Sequence, residues 1–191
     1  MLQSLIGGLG AGFALPFVAE AHPIRADLND QTKVARADRE ASGPDYKPVF
    51  LDAHQFETLD VLAERIVPGS RSARVAPFLD SLLSVSAPEN QRRFLGSLGA
   101  FEMLAFERRR KPWKELTATE QDELLTYAST APPLKEADGS GAPGLESNPA
   151  IRDFFNDLRS WISGAYYSSE IGMRELGWTG KIFFDTLPSC L

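Results

Sequence analysis

The sequence predicts an all-α protein, folded as an irregular bundle of about five helices. Apolar residues recur at helical spacing between Phe50 and Tyr166, and proline or glycine interrupts the pattern at intervals. No stretch alternates apolar and polar residues cleanly enough to predict a strand. Of the 191 residues, 43% are hydrophobic and 24% are charged, which is the composition of an ordinary globular domain. We therefore expect a single helical domain over residues 49–191.

The first residues, 1–21, have the features of a cleaved export signal. The stretch from Leu5 to Val18 is apolar, and Ala19-Glu20-Ala21 offers small residues at the two positions that a signal peptidase reads. This stretch is shorter than the roughly 20 residues that a transmembrane helix needs. We therefore expect an exported protein of the periplasm or cell envelope. Residues 22–48 are polar, which predicts a tether with little regular structure.

Four helices are predicted between the tether and residue 131. The first carries apolar residues from Phe56 to Ile66 and ends at Pro68-Gly69. The second runs from Val75 to Leu83, and the third from Glu89 to about Arg110. The fourth begins at Thr117-Ala118-Thr119-Glu120, whose hydroxyl and carboxylate match a capping box.

A long loop and a last helix complete the predicted bundle. Pro132-Pro133 end the fourth helix and introduce the loop. Asn148-Pro149 predicts the start of the last helix, with a capping side chain followed by proline at the first helical position. Its apolar stripe extends from Ile151 to Tyr166. From Ser168 the periodicity is lost although the chain stays apolar, which predicts an irregular aromatic C-terminal tail.

Composition restricts the chemistry open to this chain. The net charge of −6 argues against nucleic-acid binding, which depends on lysine and arginine at the phosphates. With His22 and His54 as the two histidines, a metal site of several imidazoles is excluded. No motif indicates a cofactor in this chain, and no residue is assigned a catalytic role. A self-sufficient hydrolase-like enzyme that uses His54, with Asp52 and Glu57 nearby, stays open as an alternative.

The aromatic tail is the predicted surface for a partner protein. An aperiodic apolar segment cannot easily bury itself, and exposed apolar patches usually mark interaction surfaces. Cys190 is the lone cysteine, and in an exported protein it indicates either an intermolecular disulfide or a free thiol. The residues predicted to contact the partner are Tyr166, Tyr167, Trp178, Phe183, Phe184 and Cys190.

Three segments together resemble the gluconate 2-dehydrogenase subunit 3 family. The first is Phe50 to Pro68, and the second is Phe154-Phe155 with Leu158. The third is Gly164-Ala165-Tyr166-Tyr167-Ser168-Ser169-Glu170-Ile171-Gly172-Met173, followed by Gly177-Trp178. The resemblance extends over roughly residues 50–190.

The resemblance implies a non-catalytic small, or gamma, subunit of an FAD-dependent sugar or sugar-acid dehydrogenase. In such complexes a large flavoprotein of the GMC type holds FAD and oxidises the substrate, and a cytochrome c subunit often takes the electrons. The small subunit aids maturation of the large one and carries it across the membrane through a twin-arginine signal. No Arg-Arg precedes the apolar stretch of this sequence. Membrane association is expected only through the complex or an uncleaved signal.

A third hypothesis is a stand-alone helical binding protein of the cell envelope, with no link to a dehydrogenase. Neighbouring genes separate this hypothesis from the subunit hypothesis, because a flavoprotein gene next door is expected only for a subunit.

Overall fold

The computed structural model describes residues 22–43, 45–131 and 150–179, and all regular structure in these ranges is helical. The all-α prediction is therefore confirmed. Among the described helices, none combines the length and the hydrophobicity that a membrane-spanning segment requires. A short 3₁₀ helix, Trp113–Glu115, lies between α5 and α6. The α-helices are α1 (Pro23–Asn29), α2 (Gln31–Ala41), α3 (Ala53–Ile66), α4 (Val75–Ser84), α5 (Pro88–Arg109), α6 (Ala118–Thr130), α7 (Ala150–Ser168) and α8 (Glu170–Glu175).

The helices predicted from periodicity correspond to α3 through α7. The capping box at the start of α6 is present, with Thr117 and Glu120 exchanging side-chain to backbone hydrogen bonds. A second capping box starts α3, where Asp52 accepts from the backbone N–H of Gln55 at 2.8 Å. The predicted long loop and the Asn148-Pro149 helix start fall in residues 132–149, outside the described residues.

α4 is the central helix of the bundle. It packs against α2, α3, α5 and α7, and it is buried along nearly its whole length. Leu79, Leu82 and Leu83 are fully buried, as a helix surrounded by other helices requires. α7 also packs against α5 and α6, and its Trp161 meets Phe94 of α5 edge-on with ring centroids 5.8 Å apart.

A buried carboxylate on α4 fixes the chain that enters α3. Asp80 is fully buried, and its oxygens accept from the backbone N–H groups of Val49 at 2.7 Å, Phe50 at 3.2 Å and Leu51 at 2.6 Å. The Tyr46 hydroxyl also donates to Asp80, at 2.6 Å. Burial and this hydrogen bond raise the pKa of Tyr46, so the hydroxyl keeps its proton. Four donors thus replace the water that the carboxylate loses on burial.

The prediction of an irregular tether over residues 22–48 is wrong in its structural content, because this segment contains α1 and α2. We call residues 22–43 the N-terminal clasp. α2 packs against α4, and α1 packs against α7. The clasp has few large apolar residues. Its helices begin at residues whose side chains cap the free backbone N–H groups. Asp30 accepts from the backbone N–H groups of Thr32 and Lys33 at the start of α2.

Two buried aspartates attach the N-terminal clasp to the rest of the bundle. Asp27 accepts from Lys33 Nζ at 2.6 Å and from the hydroxyl of Ser86, which follows α4, at 2.8 Å. Asp157 of α7 lies 2.8 Å from Nε2 of His22. These contacts hold both ends of α1, so polar anchoring takes the place of a long apolar stripe.

Asp157 accepts from three side chains that lie in two parts of the chain. Besides the contact with His22, it accepts from Arg93 Nε at 2.6 Å and from Ser97 Oγ at 2.7 Å. Burial raises the pKa of Asp157, but the hydrogen bonds from His22 and Ser97 and the charge of Arg93 together hold it below its usual value. The ionised form is therefore the one that the folded protein favours.

Replacing Asp80 tests whether its carboxylate fixes the entry to α3. We expect Asp80→Ala to lower the free energy of unfolding by about 3 kcal/mol or more, because the buried N–H of Leu51 and the part-buried N–H groups of Val49 and Phe50 lose their acceptor. Tyr46→Phe removes one donor and should cost about 1 kcal/mol. Urea denaturation of both variants provides the measurement. Equal effects of the two substitutions would contradict the proposed role of Asp80.

The depressed pKa of Asp157 predicts loss of stability in acid. Its folded-state pKa lies below its unfolded value of about 4, so its contribution is complete above that pH and is lost as pH falls through the folded pKa. Urea denaturation at a series of pH values should show a shallower acid decline for Asp157→Asn than for the wild type. Asp153→Asn, an exposed position on the same helix, is the control and should keep the wild-type decline.

Candidate functional site

A tight corner joins α7 to α8 and places the aromatic residues of the predicted partner surface. Ser169 lies between the helices, donating through its hydroxyl to the Tyr166 carbonyl at 2.6 Å and accepting from the Gly172 N–H at 3.1 Å. A Cβ atom at Gly172 would stand 2.2 Å from the Tyr166 carbonyl oxygen. Only glycine lets α8 approach the end of α7 this closely.

A glycine in the left-handed region ends α8 and fixes the position of Trp178. Gly177 has φ of 85°, and its N–H donates to the Arg174 carbonyl at 2.9 Å. The Trp178 N–H donates to the Met173 carbonyl at 3.0 Å. This pair of bonds is the Schellman arrangement of helix C-termini. We call residues 164–178 the C-terminal corner.

The structure separates the predicted partner-contact residues into three groups. Tyr166 is 1% exposed and belongs to the core, so its prediction as a surface residue is corrected. Its hydroxyl donates to Glu175 at 2.8 Å, and this bond together with burial raises its pKa to about 12. Tyr167 is exposed and Trp178 is half-buried. Phe183, Phe184 and Cys190 lie outside the described residues.

Two further apolar residues of the C-terminal corner are exposed, and sequence patterns did not single them out. Ile171 and Leu176 are large hydrophobic residues on or beside α8 that face solvent, as Tyr167 does at the end of α7. The sequence predicts an irregular tail here, whereas the structure forms a helix of six residues. Such a helix is too short for periodicity to reveal. The exposed apolar part of the C-terminal corner therefore consists of Tyr167, Ile171 and Leu176, beside the half-buried Trp178.

The outer side of α5 is a second exposed apolar surface. Met103 is 63% exposed and Phe106 is 56% exposed. Gly96 and Gly99 precede them on the same side, and a Cβ atom added at either glycine would meet nothing within 4 Å. Glycine inside a helix costs up to about 1 kcal/mol relative to alanine. Packing among the described residues gives no reason for these two glycines.

A cavity of about 130 Å³ lies where the N-terminal clasp, the start of α4 and the C-terminal corner meet. Phe78 and Ala165 contribute to its apolar lining. Arg74 lies at its edge and donates to the carbonyls of Ala41 and Gly43, each at 2.7 Å. The guanidinium group of Arg74 therefore holds the end of α2. Asp38 also lines the cavity, and burial raises the pKa of its carboxyl group.

His54 lies at a different place from the one that its sequence neighbours suggest. Asp52 caps α3 and Glu57 pairs with Lys114, so neither carboxylate contacts the imidazole. The acid nearest in space is Glu102, 3.4 Å from His54 Nε2. Thr58 donates its hydroxyl to the same carboxylate at 2.5 Å and not to the imidazole. The Thr58 hydroxyl is therefore not activated by His54, and Thr58 is fully buried, so this cluster does not present a hydroxyl nucleophile at the surface.

Among the described residues, no group of three or more histidine, cysteine, aspartate or glutamate side chains could hold a metal ion.

The sequence model of the family described as gluconate 2-dehydrogenase subunit 3 matches residues 53–181 of this chain. The chain belongs to this family. The match starts at the first residue of α3 and includes the C-terminal corner, whereas the N-terminal clasp precedes it. No curated protein and no solved structure gives a significant match.

Substitution of Gly172 tests the geometry of the C-terminal corner. We expect Gly172→Ala to displace α8, because its methyl group would overlap the Tyr166 carbonyl, and to lower the free energy of unfolding by about 2 kcal/mol. Thermal unfolding and the near-ultraviolet circular dichroism of Tyr166 and Trp178 should both change. Gly96→Ala, where the added methyl meets open space, is the matched control. An equal loss of stability in the control would contradict this explanation.

Proposed function

We propose that this chain is the non-catalytic small subunit of an exported FAD-dependent sugar or sugar-acid dehydrogenase. It aids the maturation, export or stability of the large flavoprotein subunit, which holds the FAD and oxidises the substrate. The complex works in the periplasm or cell envelope. The observation that carries this proposal is the match of residues 53–181 to gluconate 2-dehydrogenase subunit 3.

The geometry of the C-terminal corner supports a binding role. Tyr167, Ile171 and Leu176 expose apolar surface. Hydrogen bonds hold the corner that carries them, between Tyr166 and Glu175, between Ser169 and Gly172, and from the backbone of Gly177 and Trp178. A preformed surface loses little conformational freedom on binding, which favours stable association. We assign the exposed part of the C-terminal corner, with Trp178, to contact with the large subunit.

Several charged side chains of the bundle have structural partners within the same chain. Asp27, Asp80 and Asp157 each bind donors of the same chain, and His54 contacts the carboxylate of Glu102. These contacts account for the positions of the side chains, and no catalytic role is needed to explain them. A subunit of this kind acts by offering a stable surface to its partner.

Deletion and recovery in the native host test the proposal. We expect a tagged chain to co-purify with a large protein that carries flavin absorbance, and we expect deletion of the gene to lower exported sugar dehydrogenase activity at least about tenfold. A reintroduced gene that carries His54→Ala should restore that activity to the deletion strain to the same level as the wild-type gene does.

Two results would contradict the proposal. One is an unchanged level of exported dehydrogenase in the deletion strain, together with no flavoprotein recovered on the tag. The other is a hydrolytic activity of the purified chain that His54→Ala abolishes.

A further inference from the structure

We propose that the cavity between the N-terminal clasp, the start of α4 and the C-terminal corner receives a lysine side chain of the large flavoprotein subunit. The ammonium group of this lysine pairs with Asp38, the one acid among the described residues that line the cavity. The inference rests on the proposed function in that we take the partner at the C-terminal corner to be the flavoprotein. It adds an ionic anchor beside the exposed apolar residues of that corner.

Asp38 occupies a place in α2 where a negative charge is unfavourable. It lies in the last turn of that helix, and the negative end of the helix dipole disfavours a carboxylate there. An ion pair within a helix joins residues three or four positions apart. At these distances from Asp38 stand Val34, Ala35, Ala41 and Ser42, none of which is charged. α2 therefore offers Asp38 no cation across a helical turn.

Arg74, the one cation in the described lining of the cavity, does not neutralise Asp38. Its Nε and Nη2 atoms donate to the carbonyls of Ala41 and Gly43 at the C-terminal end of α2, each at 2.7 Å. A cation beside Asp38 would lower the pKa of its carboxyl group, whereas partial burial raises that pKa. The ion pairs of α2 form at other positions. Within the described residues, the charge of Asp38 is thus left uncompensated.

Two serine hydroxyls in the lining are placed to accept hydrogen bonds. Ser42 donates its hydroxyl hydrogen to the Asp38 carbonyl at 2.6 Å, and Ser168 donates to the Ala165 carbonyl at 2.9 Å. Each hydroxyl oxygen keeps lone pairs that can accept from a ligand. A lysine ammonium group has three N–H donors and no acceptor. The carboxylate of Asp38 and the two serine oxygens therefore match the donors of a lysine.

The size and the apolar part of the cavity suit the stem of a lysine. The cavity has a volume of about 130 Å³, and a cavity of about 150 Å³ in a protein core holds one benzene molecule. A lysine side chain, with its four-carbon stem and one ammonium group, has about as many non-hydrogen atoms as benzene. Val34, Phe78 and Ala165 line the cavity with apolar atoms, along which such a stem can lie.

The cavity lies beside the surface that we assign to the large subunit. Ser168 and Ser169 line it, and the residue that precedes them, Tyr167, is one of the exposed apolar residues of the C-terminal corner. A partner that covers Tyr167 therefore lies close to the cavity. Side chains that fill a pocket within an interface contribute a large share of the binding energy. The position of the cavity thus favours a side chain of the partner as its occupant.

Carbodiimide cross-linking of the complex purified from the native host tests the contact. This reagent joins a carboxylate to an amine that is in direct contact with it, and mass spectrometry of the peptides identifies the pair. Asp38 is exposed to solvent in the isolated chain, so the reagent can reach it. We expect an amide bond between Asp38 and a lysine of the large subunit. A complex that carries Asp38→Asn should lose this cross-link and keep the other cross-links between the subunits.

Substitution of Asp38 separates binding from folding. We expect Asp38→Asn to raise the Tm of the isolated chain by about 1–3 °C, because it removes a charge that burial and the helix dipole disfavour. The same variant should weaken binding of the purified large subunit about tenfold or more, because the ion pair is lost. Asp45→Asn, which makes the same change in charge at an exposed position outside the cavity, should bind within about twofold of the wild type. A lower Tm for Asp38→Asn would show a structural role and overturn the inference.

A double-mutant cycle tests the pairing from the partner's side. The lysine identified by the cross-link is replaced by methionine in the large subunit, and binding is measured with the wild-type chain and with Asp38→Asn. If the two side chains pair, both changes together should weaken binding about as much as either change alone. Losses that add would overturn the pairing.

The outcomes distinguish this inference from the proposed function. A complex that contains the flavoprotein but shows no cross-link at Asp38, with full binding by Asp38→Asn, overturns the inference and leaves the function standing. A cross-link from Asp38 to a lysine of a partner without flavin supports the cavity contact and overturns the dehydrogenase role. A cross-link to a lysine of this chain, to a second copy of it or to the amine of phosphatidylethanolamine overturns the assignment of the occupant. A chain that purifies from its host without a partner overturns both.

Discussion

The hydrogen bonds of Asp80 determine how this bundle is assembled. The carboxylate is a buried side chain of the central helix, α4. The backbone N–H groups of three consecutive residues, Val49 to Leu51, donate to it. Such an arrangement is satisfied at one relative position of the two segments only, since a buried acceptor or donor left unpaired is costly. α3 starts immediately afterwards, at the capping box of Asp52. The direction of α3, and with it one wall of the core, follows from a single side chain of α4.

Asp27 and Asp157 fix the N-terminal clasp in the same way, as buried carboxylates that accept hydrogen bonds from distant parts of the chain. The family match starts at residue 53, so these helices precede the matched region. A segment with little apolar surface gains only weakly from burial, because hydrophobic stabilisation scales with apolar area. Carboxylates that accept from His22, Lys33 and Ser86 supply directional contacts in its place. The clasp thus belongs to the folded body although its composition is that of a linker.

The sequence predicted most of the fold and only part of the candidate surfaces. Helices α3 through α7 follow from apolar periodicity, and Thr117 with Glu120 gives the start of α6. The clasp was missed because its stability comes from contacts with residues far along the chain, which local patterns do not contain. The C-terminal corner was predicted as aromatic surface, yet Tyr166 turned inward, since a tyrosine with an acceptor such as Glu175 can be buried. The exposure of Met103 and Phe106 on the outer side of α5 was not predicted either, because periodicity cannot tell which of two apolar sides of a helix is covered.

The contact between His22 and Asp157 joins residues 135 positions apart, and it sets an order of events during synthesis. A ribosome adds about 5–20 residues per second, so roughly 7–27 s separate the appearance of the two side chains. Throughout that interval α1 lacks the helix α7 on which it packs. The contact of the clasp with Asp157 can form only after α7 has been synthesised. A chain truncated before α7 leaves its front end open, and such a chain is distinguishable to proteases and chaperones from a finished one.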